Sequence, residues 1–72
     1  MNKDENFLKR LGSNVKDLRV KKGLTIKDLS HLTNLTESEL ERIEKGPVKV
    51  DLTTVITIAE VLGVDAIYLF EH

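Results

Sequence analysis

Residues 26–45, IKDLSHLTNLTESELERIEK, carry two short helical patterns separated by the triplet Thr33-Asn34-Leu35, and the rest of the chain reads outward from them. The first pattern runs from Ile26 to about Leu32, with Leu29 and Leu32 three residues apart and expected to face inward. Thr25 before it is a residue type that caps helix N-termini, and Asp28 stands three positions on, as a capping box requires. Asn34, in the middle of the triplet, tolerates the left-handed backbone of a tight turn. Thr36 and Glu39 repeat the capping box and open a further helix, in which Leu40 and Ile43, with Leu35 just before it, point to a core. Gly46-Pro47 ends that helix, because proline cannot continue it and disfavours helical geometry in the residue before.

Upstream, Leu8, Leu11, Val15 and Leu18 step by three, four and three. They form one apolar stripe flanked by Lys9, Arg10, Lys16 and Asp17, which predicts an amphipathic first helix. Lys21 and Lys22 suit the negative end of its dipole, and Gly23 suits the left-handed residue that follows. Downstream, residues 46–50 form a loop. Asp51 caps a fourth helix containing Leu52, Val55, Ile58, Ala59 and Leu62; Gly63 ends it. Asp65 opens a last short helix with Ile67, Tyr68, Leu69 and Phe70. The expectation is all-α: one domain over residues 1–72, with its core at about 8–70 and five helices.

At 72 residues the chain has room for one small core and no more. It has no cysteine, which excludes disulfides and thiolate metal sites and fits a reducing compartment. The start, MNKDENFLKR, is charged where a secretory signal needs an apolar run, and no stretch is apolar enough to span a bilayer. The expected location is the cytoplasm, with no membrane contact. Net charge is −1, but residues 1–35 hold eight Lys/Arg against four Asp/Glu, and residues 36–72 hold three against eight. Such asymmetry gives either one basic face or simply solvated helix surfaces.

Two short helices joined by a three-residue turn, the second one capped, make a helix-turn-helix unit. Here it spans Ile26 to Lys45. Leu29, Leu35, Leu40 and Ile43 fill the apolar slots, small Ser30 sits where the helices touch, and Asn34 takes the turn. On these residues, and on the segments VKDLRVKKGLTIKDLS, LTESELERIEKG and DLTTVITIAEVLGVDAIYLF, the chain from about Leu11 to Phe70 resembles the Cro/repressor-type helix-turn-helix family of small bacterial and phage regulators.

The resemblance implies a lambda-repressor-like fold and sequence-specific binding of double-stranded DNA as a transcriptional regulator, a repressor or controller acting on a near-palindromic operator. It implies an ion pair between Arg19 and Glu44. It places Thr36 at a phosphate, and Glu37, Ser38 and Arg42 where base edges are read, with Glu41 one turn from Glu37 on the same exposed side of the DNA-binding helix. Lys45, Lys49 and Lys27 fall where the family meets the DNA backbone. The chemistry of these side chains fits: Arg42 can bond guanine with two prongs, Ser38 suits several bases, and Glu37 accepts only from cytosine. Two features depart from the family. Ile26 stands where a glutamine that contacts the DNA backbone is common, and it can make no such bond; Glu37, Glu39 and Glu41 crowd the helix that should face a polyanion.

The surplus of apolar residues in the C-terminal third suggests a homodimer built on some of Val48, Val50, Ile56, Val61, Tyr68 and Phe70. His31 and His72 have no partner at metal-ligand spacing, so neither metal nor cofactor is expected. No nucleophile–base set or glycine-rich phosphate loop points to an enzyme. The alternative function is a protein-interaction module of the same fold, an antitoxin or anti-repressor, for which Glu37, Glu41 and Ile26 speak.

Overall fold

The computed structural model describes residues 3–71, and side chains from residue 5 onward; the expectation for His72 lies outside the described residues. Helices follow in the order α1 Lys3–Lys21, α2 Ile26–Thr33, α3 Glu37–Lys45, α4 Leu52–Leu62 and α5 Tyr68–Glu71. No strand occurs among the described residues.

Local chemistry sets most of the boundaries. The Thr25 hydroxyl accepts from the Asp28 N–H at 3.0 Å while the Asp28 carboxylate accepts from the Thr25 N–H at 2.9 Å. Thr36 and Glu39 make the same reciprocal pair at 3.0 and 3.3 Å. Asp51 caps α4 through the Thr54 N–H at 2.8 Å. At the other ends, Asn34 (φ 63°) and Gly63 (φ 75°) take the left-handed turn that closes α2 and α4.

Leu11, Val15 and Leu18 of α1 meet Leu29, Leu40, Ile43, Leu69 and the apolar side of α4 in one buried cluster. In that cluster α1 packs against α3, α4 and α5, and α2 packs against α3 and α4. Three details differ from the sequence expectation. Leu32 is 58% exposed, because Thr33, four residues from Leu29, takes the inward position and donates its hydroxyl to the Leu29 carbonyl at 2.7 Å. The last helix is shorter than expected and starts at Tyr68. Asp65 serves through its backbone, its carbonyl accepting from the Tyr68 N–H at 3.0 Å. And α1 starts well before the apolar stripe, so that Phe7 stacks on Phe70 with ring centroids 4.7 Å apart.

The capping carboxylates give the fold an acid limit. Backbone N–H donation, from Thr25 to Asp28 and from Thr54 to Asp51, holds both carboxyls below their ordinary range. A folded pKa below the unfolded one contributes stability above the unfolded value, and that contribution disappears as pH falls through the folded pKa. Melting temperature should therefore hold steady from neutral pH and decline below about pH 4. Replacing Asp28 and Asp51 together with asparagine should flatten that acid limb; an unchanged limb would assign it to other carboxylates.

Candidate nucleic-acid interface

The α2–α3 unit is held together by hydroxyls. Ser30 donates to the Leu35 carbonyl across the turn, and the Thr33 hydroxyl accepts from the Leu35 N–H at 3.3 Å. Both backbone groups of Leu35 are therefore tied to α2. Ser30 is more than a small residue at a helix contact.

A single ion pair fixes α3 from behind. The Arg19 Nε donates to Glu44 at 2.7 Å and its second prong to the other carboxylate oxygen at 3.1 Å, while the remaining nitrogen donates to the Leu24 carbonyl at 2.7 Å. The two side chains are only 12% and 7% exposed. The hydrogen bond that Arg19 donates to Glu44, and the charge of that carboxylate, raise the Arg19 pKa against the opposing cost of burial, so the guanidinium stays charged. Arg19 thus ties α1, the α1–α2 loop and α3 together.

With Leu40 and Ile43 buried and Glu44 engaged, the outward residues of α3 are Glu37, Ser38, Glu41, Arg42 and Lys45, all exposed. At 3.6 residues per turn they share an arc of about 140°, and they are sorted by charge across it. Glu37 and Glu41 form one edge, Lys45 and Ser38 the middle, and Arg42 the other edge. Glu39 points elsewhere, into its capping box, half-buried. Arg42 and Lys49 line one shallow groove with Val48, Val50 and Asp51. Lys27 is exposed in the first turn of α2. The Thr36 hydroxyl donates to Glu39 at 3.0 Å, so its one proton is already used within the cap. Ile26 is half-buried and packs against the core, which accounts for an apolar side chain at that position.

The apolar residues expected at a dimer interface differ in exposure and surroundings. Val48 and Val50 are half-buried beside Arg42, Phe70 is stacked on Phe7, Ile56 is exposed on α4, Val61 is half-buried, and Tyr68 lines grooves at the α5 corner. Sequence reasoning passed over two positions that hold the site in place. Gly12 lets α3 approach α1: a Cβ there would stand 2.1 Å from the Ile43 carbonyl oxygen and 2.9 Å from that of Glu44. Buried Asn14 donates to the Leu69 carbonyl at 2.8 Å and anchors α5. A glycine inside an otherwise strong helical pattern was the available signal for the first. Among the described residues no group of three or more histidine, cysteine or acidic side chains could hold a metal, and no helix is long and apolar enough to cross a membrane.

The sequence pattern of the helix-turn-helix family HTH_3 matches residues 15–69. No curated protein sequence matches the chain. Among solved structures, the restriction-modification controller protein C.AhdI from Aeromonas hydrophila superposes with a TM-score of 0.83 at 30% identity, over 88% of this chain and 96% of its own. The controller protein C.Esp1396I gives 0.79 at 26% identity, over 90% and 84%. SinR, described as the master regulator for biofilm formation and solved in complex with DNA, gives 0.80 at 22% identity, over 85% and 98%, a likeness of fold alone. The chain belongs to the HTH_3 helix-turn-helix family, a Cro/repressor-type family of DNA-binding regulators.

Proposed function

We propose that this chain is a homodimeric, sequence-specific transcriptional regulator of the cytoplasm, working without a cofactor. Each protomer lays α3 into a major groove of a near-palindromic operator, with half-sites about 34 Å apart. The observation that carries this reading is the exposed arc of α3, held at both ends and from behind, with its charges sorted edge to edge. A groove about 12 Å wide admits one helix. Turning the Arg42 edge and Ser38 toward the bases leaves Glu37 and Glu41 on the flank. A phosphate at the start of α3 meets the backbone N–H groups of Glu37 and Ser38, since the Thr36 hydroxyl is engaged. Lys45, Lys49 and Lys27 hold the backbone. Two restriction-modification controllers are among the relatives whose likeness exceeds the fold alone, and they favour a controller role here.

Selection from random duplexes at two salt concentrations tests the proposal and yields the operator. Against the selected duplex, Arg42→Ala should cost about 1–3 kcal/mol and relax one base position, whereas Lys49→Ala should weaken all sequences alike and reduce the salt slope by about one. Glu41→Gln should raise affinity for random duplexes and so lower discrimination.

A second reading rests on Glu37 and Glu41, which have no ion-pair partner among the described residues. They suit a protein partner with a basic surface, and SinR was also solved in complex with the SinI protein. That reading expects no duplex binding at low salt and no response to any of the three substitutions.

A further inference from the structure

We infer that the dimer forms through one self-complementary patch at the corner where the C-terminal half of α1 meets the α4–α5 turn. This rests on the dimeric reading above and names its surface. Two shallow grooves adjoin there and share Tyr68. The α1 groove carries Lys16 and Lys21 against the single carboxylate of Asp17, beside Val20, which is 58% exposed. The other groove carries Glu60, Asp65 and Glu71 around Ile67, which is 64% exposed. The Lys22 ammonium stands against it, 3.6 Å from the point where a Cβ on Gly63 would be, and the carboxylates of the groove outnumber it.

Scattered single apolar residues on a surface mean little. Here Val20 and Ile67 flank Tyr68, and the rims beyond them have opposite charge. A two-fold contact puts the same patch on both partners, so that whatever residue i meets in the other copy meets i in return. A patch with one basic and one acidic rim satisfies this in a single antiparallel orientation: the α1 rim of each copy faces the α4–α5 rim of the other, and the apolar centres coincide. The parallel orientation sets like charges together.

Two charge-reversed chains test this directly. One carries Lys16→Glu and Lys21→Glu; the other carries Glu60→Lys and Asp65→Lys. Circular dichroism establishes that each is helical, and sedimentation reads the oligomeric state. The wild type should sediment as a dimer. Each reversed chain alone sets like charges against like at both symmetric contacts, and its dimer dissociation constant should rise by at least about 100-fold. An equimolar mixture of the two should dimerise again, because every contact regains opposite signs. Recovery in the mixture cannot come from misfolding. A wild type that stays monomeric at high concentration, reversed chains that dimerise as the wild type does, or a helical mixture that stays monomeric would each overturn the inference. Binding of the wild type to the selected duplex, measured in parallel, separates this outcome from failure of the DNA-binding reading.

Discussion

Replacing Gly12 with alanine should strip this protein of most of its stability. Helix propensity alone predicts the opposite, since alanine in a helix interior is favoured over glycine by about 0.8–1.0 kcal/mol. The packing decides. A methyl group at residue 12 would stand 2.1 Å from the Ile43 carbonyl oxygen, and the atoms in its way are backbone, which cannot rotate aside. Relief requires α3 to move off α1, and that separation pulls Arg19 from Glu44 as well. Overpacking of a well-filled core costs typically about 1–3 kcal/mol and occasionally more. A contact this short against rigid atoms belongs at or beyond the top of that range. Urea melts followed by circular dichroism should show a loss above about 3 kcal/mol, a large share of the roughly 4–11 kcal/mol available to a chain of this size. A variant that melts above the wild type would mean that the two helices are not in this contact.

Arg19→Ala should do comparable damage by a different route. Truncation leaves the Glu44 carboxylate, 7% exposed, without its counter-charge, and leaves the Leu24 carbonyl without its donor. Stranding one member of a buried pair costs about 3–5 kcal/mol. Arg19→Lys should rescue little, because a single ammonium cannot reach both carboxylate oxygens and the Leu24 carbonyl together. Removing both partners, as Arg19→Met with Glu44→Leu, should recover much of the loss in thermal stability while altering how α3 is seated. A loss under about 0.5 kcal/mol for Arg19→Ala, the range of ordinary surface changes, would contradict the buried pair.

What was legible in the sequence is what neighbouring residues decide between themselves. The boxes Thr25–Asp28 and Thr36–Glu39, the Asp51 cap, and the left-handed turns at Asn34 and Gly63 each involve a few consecutive residues, so reading them needs no tertiary structure. The exposed arc of α3 follows from its period once Leu40 and Ile43 are assigned inward. Non-local choices were not legible. Whether Leu32 or Thr33 completes the inner face of α2 depends on what packs against it, and the hydroxyl of Thr33 is acceptable there only because the Leu29 carbonyl receives its proton. Gly12 and Asn14 matter through residues 31 and 55 positions away, Ile43 and Leu69. The apolar surplus of the C-terminal third was visible as a quantity, but its sorting into core filling, the Phe7–Phe70 stack and open surface was not.

The capture of Leu35 by Ser30 and Thr33 bears on the thermodynamics of recognition. A turn whose only residue between the two caps is bonded at both its N–H and its carbonyl is held in one attitude, so that on the proposed reading α3 would meet a duplex already at its working angle. The configurational entropy of aligning the two helices is lost during folding and is not lost again in the groove. Operators that need a different angle must bend or twist to suit the protein, at a cost set by their own stiffness. On the dimeric reading proposed above, discrimination among sites would then extend to base pairs that no side chain touches, and the central spacer between half-sites would become part of the sequence being read.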